Sequence, residues 1–246
     1  MNHKESETRV RNIKTGIDTM NNNLNDKPYI PTAYDHYILK TLPYVQEFYQ
    51  QTISMIRQYG RETGKLLDLG CGTGMLEKLL REAFPELAIV AVDPSEDMLK
   101  EAEEKQVPEV EYRLGTSQEL SDIEEYDVIT AIMSHHLMQP EERKDVISKI
   151  YRALKKEGVF ISFENVLPEE DDYLKENELS RWQQFQIEAG KPEEDAESHR
   201  ARCGVFYFPI TVKEHIRLLK EAGFQHVYVF WKTYMQMGIM GIKGNR

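Results

Sequence analysis

The stretch LLDLGCGTGML, residues 66–76, constrains this chain more than any other. Four residues with the apolar character of a buried strand end run directly into Gly70, Gly72 and Gly74, after which a helical pattern begins. Glycine lets another group approach the backbone closely, and a strand-to-helix turn points free amides at that group. A nucleotide-bearing cofactor is the natural guest of such a turn. The dinucleotide fingerprint G-x-G-x-x-G would put its last glycine at position 75, where this chain has Met75, so the spacing departs from it. Asp68 stands ahead of the glycines. Asp93 closes the next apolar run, LAIVAVD, where a carboxylate is placed to accept hydrogen bonds from the two hydroxyls of a ribose. A structural turn alone would explain the glycines; joined to Asp93 at a strand end, they form one constellation.

Around this motif strand-like and helix-like patterns alternate: KLLDL, a helix to Ala83, LAIVAV, a helix over 95–104, VEYRL, YDVITAIM, a helix after Pro140, and GVFISF. That order predicts an α/β fold with a parallel sheet and crossover helices. The helix after Pro140 has Glu141 and Glu142 in its first turn, Val146, Ile150 and Leu154 as its inner stripe, and Lys155, Lys156 and Gly158 at its expected end. Thr211 and Glu214 predict a capping box for a last helix that Gly223 stops, followed by two strand-like runs, QHVYVFW and YMQMGIM. Residues 1–27 are polar and Asn-rich and are expected to form a mobile N-terminal arm. Residues 28–246 are read as one domain. Within it, 28–60 carry helices, with Pro43 suited to a first helical turn and Gly60 to its end, and 164–209 form a helical insert. An insert at the carboxyl edge of a parallel sheet is placed to cover a substrate, although a surface elaboration that merely packs the domain would read the same way.

Composition narrows the function classes. The chain of 246 residues is 40% hydrophobic, enough for a sizeable core. Its net charge of −11 disfavours a surface that tracks nucleic-acid backbones. No run of 18 or more apolar residues occurs and MNHKESETRVRNIKTG has no apolar signal segment, so a soluble, cytoplasmic protein without membrane contact is expected. Cys71 and Cys203, the two cysteines, form no C-x-x-C pair, and the EEDD run at 169–172 reads as a solvated face, so no metal site is expected.

The motifs LLDLGCGTGMLEKLL, IVAVDPSEDMLKEA, VEYRLGTSQEL and YDVITAIMSHHLM resemble, in order and spacing, the four cofactor motifs of class I S-adenosylmethionine-dependent methyltransferases. The resemblance implies a Rossmann-like seven-stranded methyltransferase fold, mostly parallel, whose closing antiparallel hairpin would be the two final strands. It implies S-adenosyl-L-methionine as cofactor. Asp68, Gly70, Cys71, Gly72 and Gly74 would hold the methionine part, Asp93 with Pro94 beside it the ribose, and Met98 one face of the adenine. Thr116, Ser117 and Gln118 would line the adenine edge. Methyl transfer from a sulfonium is an in-line displacement, so positioning should dominate the catalysis.

YDHYILKTLPYVQEFY resembles the N-terminal lid helices of small-molecule methyltransferases, and also those of the carboxy-S-adenosylmethionine synthase family. In that synthase a tyrosine just ahead of an ISMI run contacts the cofactor, which implies Tyr49 here. HRARCGVFYFPITVKEHIRLLKEAGF resembles its later segment, in which Arg202 would match an arginine that binds the transferred carboxylate. Two positions depart from the synthase pattern: Gly72 stands where it usually has serine, and Ile132 where it has a cofactor-contacting asparagine. The leading reading is therefore a methyltransferase acting on a small molecule. The alternative is a carboxy-S-adenosylmethionine synthase-like enzyme linked to tRNA wobble-uridine modification, and the third a cofactor-binding protein without catalysis. His135, after the fourth strand, is the candidate catalytic base, against the plainer possibility that it packs or caps. Tyr34 and Arg202 are the residues expected to face substrate. A homodimer is compatible with the sequence, which names neither the acceptor nor its attacking atom.

Overall fold

The computed structural model describes residues 30–168 and 171–245; the expected arm over 1–27 lies outside the described residues, as do Glu169 and Glu170 of the acidic run. Two helices come first, α1 (Tyr34–Thr41) and α2 (Val45–Tyr59). The alternation follows: β1 (Lys65–Leu69), α3 (Met75–Ala83), β2 (Ala88–Asp93), α4 (Glu96–Glu104), β3 (Val110–Leu114), β4 (Tyr126–Ile132), α5 (Pro140–Ala153) and β5 (Leu154–Leu167). Two more helices, α6 (Asp172–Glu188) and α7 (Glu193–Ala201), precede β6 (Ile210–Thr211), α8 (Val212–Ala222), β7 (His226–Thr233) and β8 (Gln236–Ile242).

The sheet runs β3-β2-β1-β4-β5-β8-β7, with the two-residue β6 beside β5. Its first five strands pair in parallel, and β5–β8 and β8–β7 are antiparallel, so the two final strands do close the sheet as a hairpin. Because both faces are covered by helices, successive strand residues feed opposite cores. Leu67, Ile129 and Phe160 pack with Val146 and Ile150 of α5 and Leu219 of α8. Leu66, Val128 and Ile161 pack on the other face with Ile53 and Ile56 of α2 and Leu76 and Leu80 of α3. A third cluster ties the extra helices to the sheet. Phe48 stacks on Phe163 at 4.6 Å, and Trp182 of α6 donates its indole N–H to the Thr41 carbonyl of α1 at 2.6 Å.

Local signals set several boundaries. Ser95 caps α4 by accepting from the Met98 amide, Thr211 caps α8 by accepting from the Glu214 amide, and Gly223 ends α8 at φ 112°. One boundary differs from expectation. α5 stops at Ala153, so Lys155, Lys156 and Gly158 belong to β5 instead of the helix end. Leu154 pairs with Tyr126 in β4, and the Lys155 ammonium reaches Asp127 at 2.7 Å, so sheet pairing overrides a sequence that would continue the helix.

Strand order reverses at β1, between β2 on one side and β4 on the other, which opens a crevice beyond the carboxyl ends of these strands. The glycine-rich turn after β1, Asp93 at the end of β2 and the turn after β4 all face it.

Candidate functional site

The glycine turn is tied down at its start and open at its middle. Gly70 and Cys71 both donate to the Val92 carbonyl, at 2.7 and 3.0 Å. A Cβ on Gly70 would lie 2.4 Å from Ser134, whose hydroxyl closes the gap between β1 and β4 by donating to the Leu69 carbonyl at 2.7 Å. Gly72 has φ +57°, and a Cβ there would meet nothing within 4 Å. Glycine at 72 thus serves backbone conformation and leaves room over the turn for a ligand. Asp93 accepts from the Gly72 amide at 2.9 Å and from the Ser95 amide at 2.8 Å, one through each oxygen. These bonds fix the carboxylate at the mouth of the turn, beside the space a ribose would take.

These groups border a cavity of about 620 Å³ that also touches Pro94, Met98, Ser117, Gln118 and His135. Its size lies within the range of small-molecule and cofactor sites. Thr116 lines it too, but the Thr116 hydroxyl is already donated to Glu119 at 2.9 Å, which leaves Ser117, Gln118 and backbone groups for an adenine edge.

A smaller recess of about 40 Å³ continues the cleft toward α1 and α2, lined by Tyr34, Tyr49, Asp68, Gly70, Cys71 and Thr73 among others. Asp68, 2% exposed, accepts from the Thr130 hydroxyl at 2.5 Å. Burial raises its pKa to about 6, while the Thr130 hydrogen bond opposes the rise. Behind it lies Glu77 of α3, fully buried, with no hydrogen-bond partner on either carboxyl oxygen. Burial first, then the Asp68 charge, hold the Glu77 carboxyl well above the usual range. Burial likewise pushes the Cys71 thiol and the Tyr49 phenol up, so Cys71 is kept from thiolate chemistry. A recess lined by the Asp68 carboxyl beside an open glycine turn fits the ammonium of S-adenosylmethionine, whose α-carboxylate balances that ammonium and whose sulfonium leaves the cofactor net positive.

The first helix is latched to this turn. Asp35 of α1 accepts from the Thr73 hydroxyl at 2.5 Å and from the Lys105 ammonium at 2.9 Å, and Lys105 also donates to the Thr73 carbonyl at 2.7 Å. The sequence reading missed all three residues; the one available signal was an acid, Asp35, set between Tyr34 and Tyr37.

On the far side of α1 a cavity of about 110 Å³ lies under the helices α6 and α7, and it shares Tyr34, Met133 and Leu137 with the large cavity. Tyr37, Trp182, Phe206 and Tyr207 give it aromatic walls, Arg202 and His199 supply basic groups, and none of its lining residues is acidic. Tyr34 and Arg202 therefore meet at one chamber. Lys191, 5% exposed, stands behind the wall with its ammonium donated to three neutral oxygens: the Tyr37 hydroxyl, the Thr41 hydroxyl and the Gln186 side-chain carbonyl. Burial lowers its pKa.

His135 occupies the 3-10 turn after β4, 4% exposed, with Nε2 3.0 Å from the Ser117 hydroxyl. Burial, then the Arg143 charge, lowers its pKa to about 3. That suits an imidazole that orients Ser117 better than one that takes a proton. Behind it a cavity of about 20 Å³ is enclosed by Arg143, Glu164, Ser162 and His215. Arg143 donates to the Phe208 carbonyl at 2.6 Å and the Phe208 amide to the His136 carbonyl at 2.7 Å, which fixes the segment returning from Arg202 to the turn after β4.

The sequence-predicted cofactor residues other than Gly74 thus line one cleft, with Tyr49 at the recess and His135 on the wall, and Arg202 lines the neighbouring chamber; Gly74 lines neither cavity and packs against Ala102 and Tyr112 instead. A methyltransferase-domain family model matches residues 66–158, the span from β1 into β5. Along most of its length the chain is similar to proteins named carboxy-S-adenosyl-L-methionine synthase. The one from Nautilia profundicola is 26% identical over 210 residues, 82% of this chain and 87% of the relative. The one from Wolinella succinogenes is 28% identical over 81% of this chain and 85% of the relative. Among solved structures, a Methanosarcina mazei S-adenosylmethionine-dependent methyltransferase shares the fold, with a TM-score of 0.59 at 18% identity, over 78% of this chain and 98% of that one.

Proposed function

We propose that this chain, whose residues 66–158 are an S-adenosylmethionine-dependent methyltransferase domain, transfers a methyl group to a small anionic acceptor held in the aromatic chamber beside Arg202. The observation that carries this reading is the pair of adjoining cavities. One offers Gly72, Asp93 and Met98 to a nucleoside, and the other offers aromatic walls and a guanidinium with no lining acid. Arginine's planar fork of donors suits a carboxylate. Holding acceptor, methyl and sulfur in line supplies the rate, and the residues here serve to position and to exclude water. His135 then acts as a positioning residue through Ser117. The same reading makes a small molecule the partner in place of nucleic acid, in keeping with the net charge of −11, and a cytoplasmic setting its natural one.

A second reading, a carboxy-S-adenosylmethionine synthase-like activity, is favoured by one specific observation. The similarity to relatives of that name extends over 210 residues, far beyond the 66–158 domain. Gly72 and Ile132, both lining the large cavity, depart from the pattern expected of that synthase. Native mass spectrometry of the purified protein separates the two. Bound S-adenosylmethionine or S-adenosylhomocysteine supports methyl transfer, and a carboxylated cofactor, lost in Arg202→Ala, supports the second reading. A protein that binds none of the three overturns both.

A further inference from the structure

Asp68 and Glu77 form a buried acid pair that no described ion pair neutralises. Asp68 is the last residue but one of β1, and Glu77 lies in the first turn of α3, on the other side of the glycine turn. One Asp68 oxygen is satisfied by Thr130, whereas both Glu77 oxygens are without a partner. The titratable groups facing the pair are themselves acids: Tyr49 from α2, Tyr112 from β3, Cys71 in the turn and Asp93 from β2, with Asp35 of α1 beyond Tyr49. The Tyr112 hydroxyl is also unpartnered, and the Lys105 ammonium is committed to Asp35 and the Thr73 carbonyl. Two buried carboxyl groups without a cation do not both ionise. An empty site therefore keeps a proton on the pair, and a cation entering the recess beside Asp68 removes the reason for it.

We infer that Asp68 and Glu77 share one proton in the empty site and release it when the ammonium of the cofactor's zwitterionic amino-acid end enters beside Asp68, which makes cofactor affinity proton-linked and Glu77 a determinant of that affinity. The inference rests on the proposed S-adenosylmethionine site. The O–H bond of the shared acid breaks, its proton passes to solvent, and the second carboxylate is left to balance the incoming charge. No other covalent change is involved.

Calorimetric titration with S-adenosylmethionine, repeated at one pH near 6.5 in buffers of different ionisation enthalpy, counts the protons released. Wild type should release a substantial fraction of one proton, and its affinity should rise by up to about tenfold per pH unit toward neutrality before levelling off. Glu77→Gln, which keeps shape and cannot ionise, should release none and bind with an affinity flat over the same range. Should that variant fail to fold, the infrared difference spectrum of wild type serves instead, in which the protonated-carboxyl band should be lost on adding S-adenosylmethionine. Binding without proton release, an unchanged carboxyl band, or a Glu77→Gln variant that releases as many protons as wild type would overturn the inference and leave the site standing. Absence of any binding would instead remove the site.

Discussion

Asp93 carries the most weight among the proposed cofactor residues, because its two oxygens organise the turn through Gly72 and Ser95 at the edge of the large cavity. Losing hydrogen bonds to a charged acceptor costs about 1.5–3 kcal/mol, so Asp93→Ala should weaken S-adenosylmethionine binding roughly 10- to 100-fold by calorimetry. Unchanged affinity would take Asp93 out of the site. Its place at the cleft was legible from sequence because it depends on one local spacing, an acid at the end of the strand after a glycine turn. Glu77 was not legible. In MLEKLL it reads as a solvent-facing helix residue, and only the packing of α3 against the turn buries it. Arg143 and Lys191 were missed for the same reason, since charged side chains are so seldom fully buried.

At the scale of elements, α1 is held to the glycine turn by Asp35, Thr73 and Lys105 and to α6 by Trp182 and Lys191. Asp35→Asn should release the turn without disturbing either core. An ion pair this exposed and one hydrogen bond are together worth roughly 0.5–1.5 kcal/mol, so cofactor affinity should fall about two- to tenfold while the melting temperature changes little. Faster hydrogen exchange confined to α1 would confirm the cause; wild-type exchange and affinity would show that the latch is incidental. The alternation of strands and helices was readable because burial on both faces leaves near-continuous apolar runs. The α5–β5 junction was misplaced because Leu154 and Lys155 continue a helical pattern, and their partners Tyr126 and Asp127 lie 28 residues upstream. The two helices that lead to Arg202, which caps the end of α7, were legible as an insert but not in their packing, which Trp182 and Tyr207 decide by contacts across the fold.

For the whole molecule, burial sets an acid limit to stability. His135, His136 and His215 are buried and His199 is half-buried, and all four have pKa values lowered to about 3, by burial first. Below the unfolded value near 6.5 the unfolded chain takes up protons that the folded one refuses, so this contribution is full above about pH 6.5 and is lost as pH falls toward 3. Glu164 has the opposite sign: raised to about 7 by burial, it contributes stability at low pH that is lost as pH rises from 4.5 through 7. His215, whose Nε2 has no partner, isolates the histidine effect. In His215→Leu the slope of unfolding free energy between pH 6 and 4 should be shallower by up to about 1.4 kcal/mol per pH unit, measured by denaturant titration. An unchanged slope would mean that His215 is charged in the folded protein. The central claim, that the crevice at the reversal of strand order is built for S-adenosylmethionine, is tested most directly by the melting temperature of wild type with each ligand at saturation. The account predicts that S-adenosylmethionine and S-adenosylhomocysteine raise it while NADH leaves it unchanged, since a ligand at 100 times its Kd stabilises by about 2.7 kcal/mol. Stabilisation by NADH alone would contradict it.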